Sequence, residues 1–482
     1  MVAKSFFLLK NPLSLEPQAA WIGILGFIIP VSLCLLIRFS SILQVVFPAG
    51  ALTVGVFLYL RYPILYLGFN WWVWFLSPFI SRLVEYQNGI INPGMRFIIL
   101  TPYLVTMLTA VTFFKQLPRL HQQGGTPFIL AFVSISYAFL MGIVKGNPIP
   151  QVIQGILSWL PGIFLGVHLM VNWQDYPKFQ KNTQRVFVWA ILIMGIYGIY
   201  QYLVAPEWDK FWLANAEDLQ LCCGWPEPQQ IRVWSTLNFP FTFAYAMMAC
   251  LLISIGSRGS LILPSVVIGG LSFLLSQVRG AWIGWLIGMF SFWVTLKPNL
   301  KIRVIMIFLI IGVFLVPIVI STPLAEPIIV RLQSFSDTEG DTSANERQEI
   351  YAQLLNNVLS EFLGRGMGGK GIVDAGVLDI IATLGWLGLA PYLSGIVLIS
   401  FTLYSYQEIR FDPFMNASRA ILPSILITLP FNNALVLLPG ILFWGFSGMT
   451  IAGHKYYRYQ NLLPIQKTVS ESKPMKVPYS SS

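Results

Sequence analysis

The chain has 482 residues, of which 56% are hydrophobic and only 10% charged, and its formal net charge is +10. A soluble domain carries about 25% charged residues, so most of this surface is unsuited to water. The Lys and Arg residues are scattered singly between apolar runs, which sets aside nucleic acid as a partner and reads as topogenic charge.

At the N-terminus, Lys4 and Lys10 lie in polar, proline-containing sequence that lacks the apolar core and cleavage site of a signal peptide. The first membrane helix is therefore expected to direct insertion. A helical span needs about 20 apolar residues. Spans are predicted at 19–37, 42–60, 62–80, 97–114, 127–144, 150–171, 186–205, 238–256, 261–277, 281–296, 304–320, 376–400, 418–431 and 435–453. Several are short or share a proline, which puts the count at about 12–14. Acids are missing from Glu16 to Glu85, Glu85 to Asp175 and Glu227 to Glu326, in keeping with the cost of a carboxylate in lipid. The expected fold is all-α, a polytopic transmembrane bundle, with residues 1–462 as the integral membrane domain.

Positive charge gathers in 115–126, 172–185, 297–303, 401–417 and the tail from Lys455, which places these segments and both termini in the cytoplasm. Two long loops, 206–237 and 321–375, then fall outside. Within the second, 343–362 reads as an amphipathic helix: Ile350, Leu354, Leu355 and Val358 recur at helical spacing, with Ser343 or Asn345 as cap. Residues 463–482 are expected to form a disordered cytoplasmic tail. Trp71, Trp72 and Trp74 are assigned to an interfacial aromatic belt, and His168 to a buried, hydrogen-bonded position in a span. Cys34, Cys222, Cys223 and Cys250 make no disulfide framework. A bridge between the adjacent Cys222 and Cys223 would be strained, so both read as ordinary loop residues.

Three places carry polar groups at one membrane face. Arg232, in Ile231-Arg232-Val233-Trp234-Ser235-Thr236-Leu237-Asn238, fits either a bidentate phosphate ligand or an arginine snorkelling at a helix end. Arg279, in Ser276-Gln277-Val278-Arg279-Gly280-Ala281, interrupts an apolar run too long for one span. It marks a tight turn, a functional charge, or both. The third place, 363–388, holds six glycines from Gly364 to Gly376, which permit close approach of backbone to a ligand. It also holds Asp374 and Asp379, which do not share a helix face. Asp374 alone fits a general base or a helix cap. No His, Cys or acid cluster has metal-ligand spacing and no Walker motif is present, so no metal or cofactor is expected.

In their order and spacing these blocks resemble the O-antigen ligase and O-antigen polymerase family of bacterial membrane glycosyltransferases. Arg232 to Asn238 is similar to the family's first arginine block, and Ser276 to Ala281 to its Ser-x-x-Arg-Gly turn. Glu346-Arg347 through Leu363-Gly364-Arg365-Gly366 resembles its arginine, helix and Leu-Gly-x-Gly segment. Asp374 precedes Gly385 and Gly388 as the family's polar residue precedes two glycines. The family's ligases place a histidine where Asp374 stands, and no histidine occurs in this loop. That departure points toward the polymerase-like branch. The resemblance, covering about residues 230–390, implies a multi-pass protein of the bacterial inner (plasma) membrane. Its implied substrate is a polyprenyl-diphosphate-linked oligosaccharide, joined on the outer face in cell-surface or exopolysaccharide synthesis. Membrane lipid and other polysaccharide-export components are its implied partners. It also implies Asp374 and Arg279 as catalytic residues and Arg232, Arg347 and Arg365 as substrate-binding residues. A transporter or flippase of lipid-linked oligosaccharide is the alternative. Transporters more often show repeats and midspan polar groups, whereas the midspans here are nearly free of charge.

Overall fold

The computed structural model describes residues 17–91, 97–215, 222–257, 259–296, 325–333, 342–372, 374–407 and 412–471, with a few positions between 298 and 305. Among the described residues the chain is helical throughout, apart from one isolated antiparallel bridge between Gly224 and Ile231. The helices are α1 (Pro17–Leu36), α2 (Leu43–Arg61), α3 (Pro63–Asn88), α4 (Phe97–Met107), α5 (Ala110–Leu120), α6 (Thr126–Val144), α7 (Ile149–Val171) and α8 (Tyr176–Val204). After them come α9 (Glu207–Asn215), α10 (Pro240–Ile255), α11 (Ile262–Leu275), α12 (Arg279–Val294), α13 (Ala325–Gln333), α14 (Thr342–Ser360), α15 (Gly376–Ser405), α16 (Pro413–Leu426) and α17 (Leu437–Glu471).

Eight of the described helices are long and apolar enough to cross a membrane, and α10 and α11 are shorter apolar helices. The protein is a multi-pass all-α membrane protein. Each expected span from 19 to 296 and from 376 to 453 falls on a helix, α4 and α5 sharing the one expected at 97–114. The span expected at 304–320 lies outside the described residues. Local signals account for many of the boundaries. A proline in the first turn opens α3, α6, α7, α8, α10 and α16, where its missing N–H costs nothing. Gly89, at φ +67°, closes α3.

Some boundaries differ from expectation. Helix α8 begins at Tyr176 and takes in 176–185, a stretch assigned to a loop by its charge. Pro177 pre-sets its first turn, and Lys, Gln and Arg are good helix formers. Helix α17 runs past 462 to Glu471. Trp71 and Trp74 are buried rather than interfacial: Trp71 stacks on Phe446 and Trp74 lies edge-on to Tyr103. Bulk and a buried helix face decide their place, and the indole of Trp74 donates to Thr106 Oγ1 at 2.9 Å. His168 is buried as expected, its Nδ1 2.9 Å from Thr112 Oγ1.

The core centres on α7 and α17, which cross backbone to backbone. A methyl group on Gly162 would stand 2.7 Å from the Gly440 carbonyl, and one on Gly448 would run into Gly166. In lipid, apolar surface gives little drive for helices to associate, and small residues that admit close packing supply it. Helix α1 shows the opposite character, exposing Trp21, Ile22, Leu25, Ile28, Ile29 and Leu33, as a lipid-facing helix should.

Segment 222–239 and α13 both bond to the turn 276–278, while the stretch 361–376 packs on the turn 427–436, whose Phe431 also meets Gly280 in the first turn of α12. The functional residues predicted from the sequence lie in or beside these segments.

Candidate functional site

The first arginine block is a short hairpin clamped from below. Gly224 pairs with Ile231, and the N–H of Arg232 donates to the Cys223 carbonyl at 2.9 Å. Val233 N–H donates to the Leu275 carbonyl at 3.1 Å, docking the block on the end of α11. The Gln201 side-chain carbonyl accepts from the N–H groups of Trp234 and Ser235 at 3.0 and 2.8 Å. Arg82, wholly buried in α3, donates to the carbonyls of Ser235 and Leu237 and pairs with Asp209 at 3.2 Å. Asp209 also accepts from Tyr197 Oη at 2.7 Å and Gln201 Nε2 at 2.8 Å. The Phe79, Trp212 and Trp234 rings face the Arg82 guanidinium within 6 Å. Polar groups removed from water need such partners. Nothing in the local sequence of the arginine block announces this support, because Arg82, Gln201 and Asp209 lie far along the chain. An arginine inside an apolar helix was the one available signal.

Contrary to the sequence expectation, Cys222 and Cys223 are joined as a vicinal disulfide. The hairpin buries Cys223 against Trp212, Ile231 and Trp234.

Arg232 Nη1 donates to the Cys222 carbonyl at 2.7 Å and Nη2 to the Gln277 carbonyl at 3.2 Å. Its Nε is buried without a partner. Gln277 stands in the three-residue turn between α11 and α12 at φ +56°. The same carbonyl accepts from Nε of Arg331, on α13, at 3.4 Å. Arg279 is the first residue of α12. The charges of Arg331, Arg279 and Asp374 all reach Arg232. Burial first, then repulsion from Arg331 and Arg279, pushes the Arg232 pKa down from the ordinary arginine value to about 10, and Asp374 opposes the shift.

Asp374 is exposed, at φ +59°, and no described residue hydrogen-bonds its carboxylate. It does not cap α15, whose N-cap residue is Ala375. Ser235, Gln277 and Asp374 are thus three non-glycine residues in the left-handed region around one cluster. Such backbone costs about 1–2 kcal/mol per residue and gathers at functional sites. The structure brings Arg232, Arg279 and Asp374 together from three separate blocks. It adds Arg331, which sequence reasoning passed over. The available signal was a cation in the last turn of a short helix within the long loop.

The remaining predicted residues are placed otherwise. Arg347 lies in α14, and its side chain falls outside the described residues, as do the caps expected at Ser343 and Asn345. Arg365 Nε meets both carboxylate oxygens of Glu361 at 3.1 Å, and Nη1 donates to the Lys370 carbonyl at 3.4 Å. Asp379 accepts from Ile372 N–H at 2.9 Å and from Asn433 Nδ2 at 2.8 Å, tying the Asp374 turn to the 432–433 turn.

The glycines from 364 to 368 meet the protein itself rather than a ligand. Helix α15 is broken at Gly385, where φ is +60° and ψ 179°. Gly364 packs its backbone into that break, and a methyl group on either glycine would collide with the other residue. Gly366 abuts Gly142 at the end of α6, and Gly368 abuts Val152 in α7. Met367 N–H donates to the Ala138 carbonyl at 2.8 Å. The Leu-Gly-x-Gly segment and Gly385 are therefore two halves of one contact. That contact fixes the stretch leading to Asp374. The hydrophobic face of α14 lies alongside it, Ile350, Leu354 and Val358 packing with Leu378 and Ala382 of α15.

Residues 264–393 match the family model described as O-antigen ligase. This segment contains Arg279, Arg331, Arg347, Arg365, Asp374 and Gly385, whereas Arg232 lies ahead of it. No curated protein matches the sequence. Over residues 264–393, the chain is similar to the O-antigen ligase family.

Proposed function

We propose that this protein is a membrane glycosyltransferase of the O-antigen polymerase and ligase type. It joins polyprenyl-diphosphate-linked oligosaccharide units on the outer face of the inner membrane. The observation that carries the reading is the convergence on Arg232 of Arg279, Arg331 and Asp374. A cationic cluster with a single carboxylate beside it suits a substrate that leaves as an anion.

In the proposed reaction the bond between the sugar anomeric carbon and the diphosphate oxygen breaks. A new bond forms from that carbon to an acceptor hydroxyl oxygen, and polyprenyl diphosphate departs. Arg279 and Arg232 neutralise the charge that grows on the diphosphate, where fixed donors are most effective. Asp374 takes the proton of the acceptor hydroxyl as general base. Its exposed carboxylate, which makes no bond to a described residue, supports that role. Arg347 binds phosphate or sugar, and Arg365 offers the N–H groups that Glu361 and Lys370 leave over. The acid in place of the ligases' histidine favours polymerase chemistry.

The test is glycan analysis of strains carrying Asp374→Ala or Asp374→Asn beside a strain lacking the protein. The asparagine variant keeps a residue tolerant of the left-handed backbone. Loss of polymer in all three, with single lipid-linked repeats accumulating outside, is the expected result. Full polymer synthesis by Arg279→Ala at normal expression would sink the reading. Repeat units held on the inner face of the deletion strain would replace it with transport.

A further inference from the structure

Gln201 lies in the last turn of α8 and is wholly buried. Its side-chain amide stands between a carboxylate and two backbone N–H groups. Nε2 donates to Asp209 Oδ2 at 2.8 Å, and Oε1 accepts from Trp234 and Ser235 at 3.0 and 2.8 Å. A carboxylate only accepts and a backbone N–H only donates. One orientation of the amide therefore pairs all three contacts, and the flipped one pairs none. Asp209 is itself held by Arg82 at 3.2 Å and by the Tyr197 hydroxyl at 2.7 Å, which accepts from Trp208 Nε1 at 2.7 Å. Donor and acceptor thus alternate from a buried ion pair, through one amide, to the backbone of the arginine block.

At the far end stands Ser235, in a left-handed backbone at φ +52°. All three of its polar groups are bonded to other elements: its N–H to Gln201, its carbonyl to Arg82, and its hydroxyl to the Met194 carbonyl at 2.6 Å. Such a conformation persists only where its surroundings over-determine it. Removing the Gln201 acceptor would leave two buried N–H groups unpaired and release that turn. Arg232 lies three residues before Ser235. Its guanidinium bridges the hairpin, at the Cys222 carbonyl, and the α11–α12 turn, at the Gln277 carbonyl. A shift of the block against that turn therefore moves the guanidinium.

We propose that Gln201 is a positioning residue for Arg232 and that Asp209 sets the polarity of its amide. The proposal rests on the glycosyltransferase reading. The competing role for Gln201 is to stabilise the fold alone.

The experiment measures polymer synthesis by the full-length protein in liposomes against the concentration of lipid-linked repeat unit. Pyrophosphate binding by calorimetry and thermal unfolding are followed in detergent. Gln201→Met keeps the bulk and leaves the Arg82–Asp209 pair in place, but cannot accept from the two N–H groups. It is expected to lower kcat per folded molecule about 100-fold, the scale of a small misplacement, with KM changed little, because a transition-state contact is lost. Pyrophosphate, which carries the charge of the departing group, should bind about tenfold more weakly. Asp209→Asn should act likewise: Arg82 holds the asparagine oxygen, and its NH2 group then turns the Gln201 donor toward the two N–H groups. Gln201→Glu alone sets two carboxylates side by side. Asp209→Asn combined with Gln201→Glu restores every pairing with the negative charge moved by one side chain, and should recover synthesis above either single variant. If Gln201→Met fails to accumulate, the double variant against its singles decides. A wild-type kcat per folded molecule in Gln201→Met, with only a lowered unfolding temperature, overturns the positioning role. A double variant no better than its singles overturns the role of Asp209. Arg232→Gln separates these from the reading beneath them: if it changes neither synthesis nor pyrophosphate binding, the glycosyltransferase reading itself fails.

Discussion

Arg82 and Arg232 grip the same short segment from two sides and are built in opposite ways. Arg82 is paired with Asp209, bonded to two backbone carbonyls and enclosed by aromatic rings. Arg232 has two carbonyls, a buried Nε without a partner, and further cations nearby. A charge that serves the fold is neutralised within the fold. A charge left uncompensated has its counterion elsewhere, and here the substrate is proposed to bring it.

The largest expected effect breaks that comparison at Arg82. Arg82→Ala strands Asp209 in the interior, and losing one partner of a buried pair costs about 3–5 kcal/mol. Thermal unfolding in detergent should show that loss. The double variant Arg82→Met, Asp209→Leu should recover much of it, because apolar replacement of a whole buried pair is often neutral. Arg232→Ala should do the reverse. Stability should hold or rise as repulsion is relieved, while polymer synthesis falls by about 100-fold or more, the scale for removing a charge-stabilising donor. Equal destabilisation by the two alanine variants would erase the distinction.

A smaller effect is expected where the protein contacts itself. Gly385→Ala places a side chain at positive φ, a cost of about 1–2 kcal/mol, and also pushes on Gly364. A lowered unfolding temperature, with activity lost in proportion to folded protein, is the outcome for a structural contact. Retained stability with lost activity would return these glycines to the ligand-approach role that their composition suggested.

How much of this was legible in the sequence depends on distance along the chain. Span positions were legible because lipid imposes one requirement, unbroken apolar length, that any window reveals. Arg232 and Arg279 stood out because a charge at the edge of an apolar run is a local anomaly. The glycines misled because close approach looks the same in sequence whether the partner is ligand or backbone, and only the break in α15 identifies Gly385 as the partner. Arg331 was hidden by an ordinary setting, a cation at the end of a polar-looking helix. Trp71 and Trp74 were misplaced because tryptophan suits both interface and core. The Arg82 network joins α3, α8 and α9 to the arginine block, and no local pattern encodes such a junction.

The smallest expected effect sharpens the electrostatic side of the comparison. With its pKa lowered from the ordinary arginine value to about 10, Arg232 binds its proton less tightly folded than unfolded. At neutral pH the residue is still charged, and that charge costs stability. From about pH 10 up to the ordinary arginine pKa the unfolded chain binds more protons at this position than the folded one. Stability from this residue therefore rises with pH across that window. Pyrophosphate affinity should run the other way, level from pH 7 to 9 and falling above about 10 as one guanidinium loses its charge. Arg232→Gln should flatten that fall while lowering affinity at every pH. An affinity unchanged through pH 11 in the wild type would mean that Arg232 keeps its proton and that its neighbours do not repel it as their placement implies.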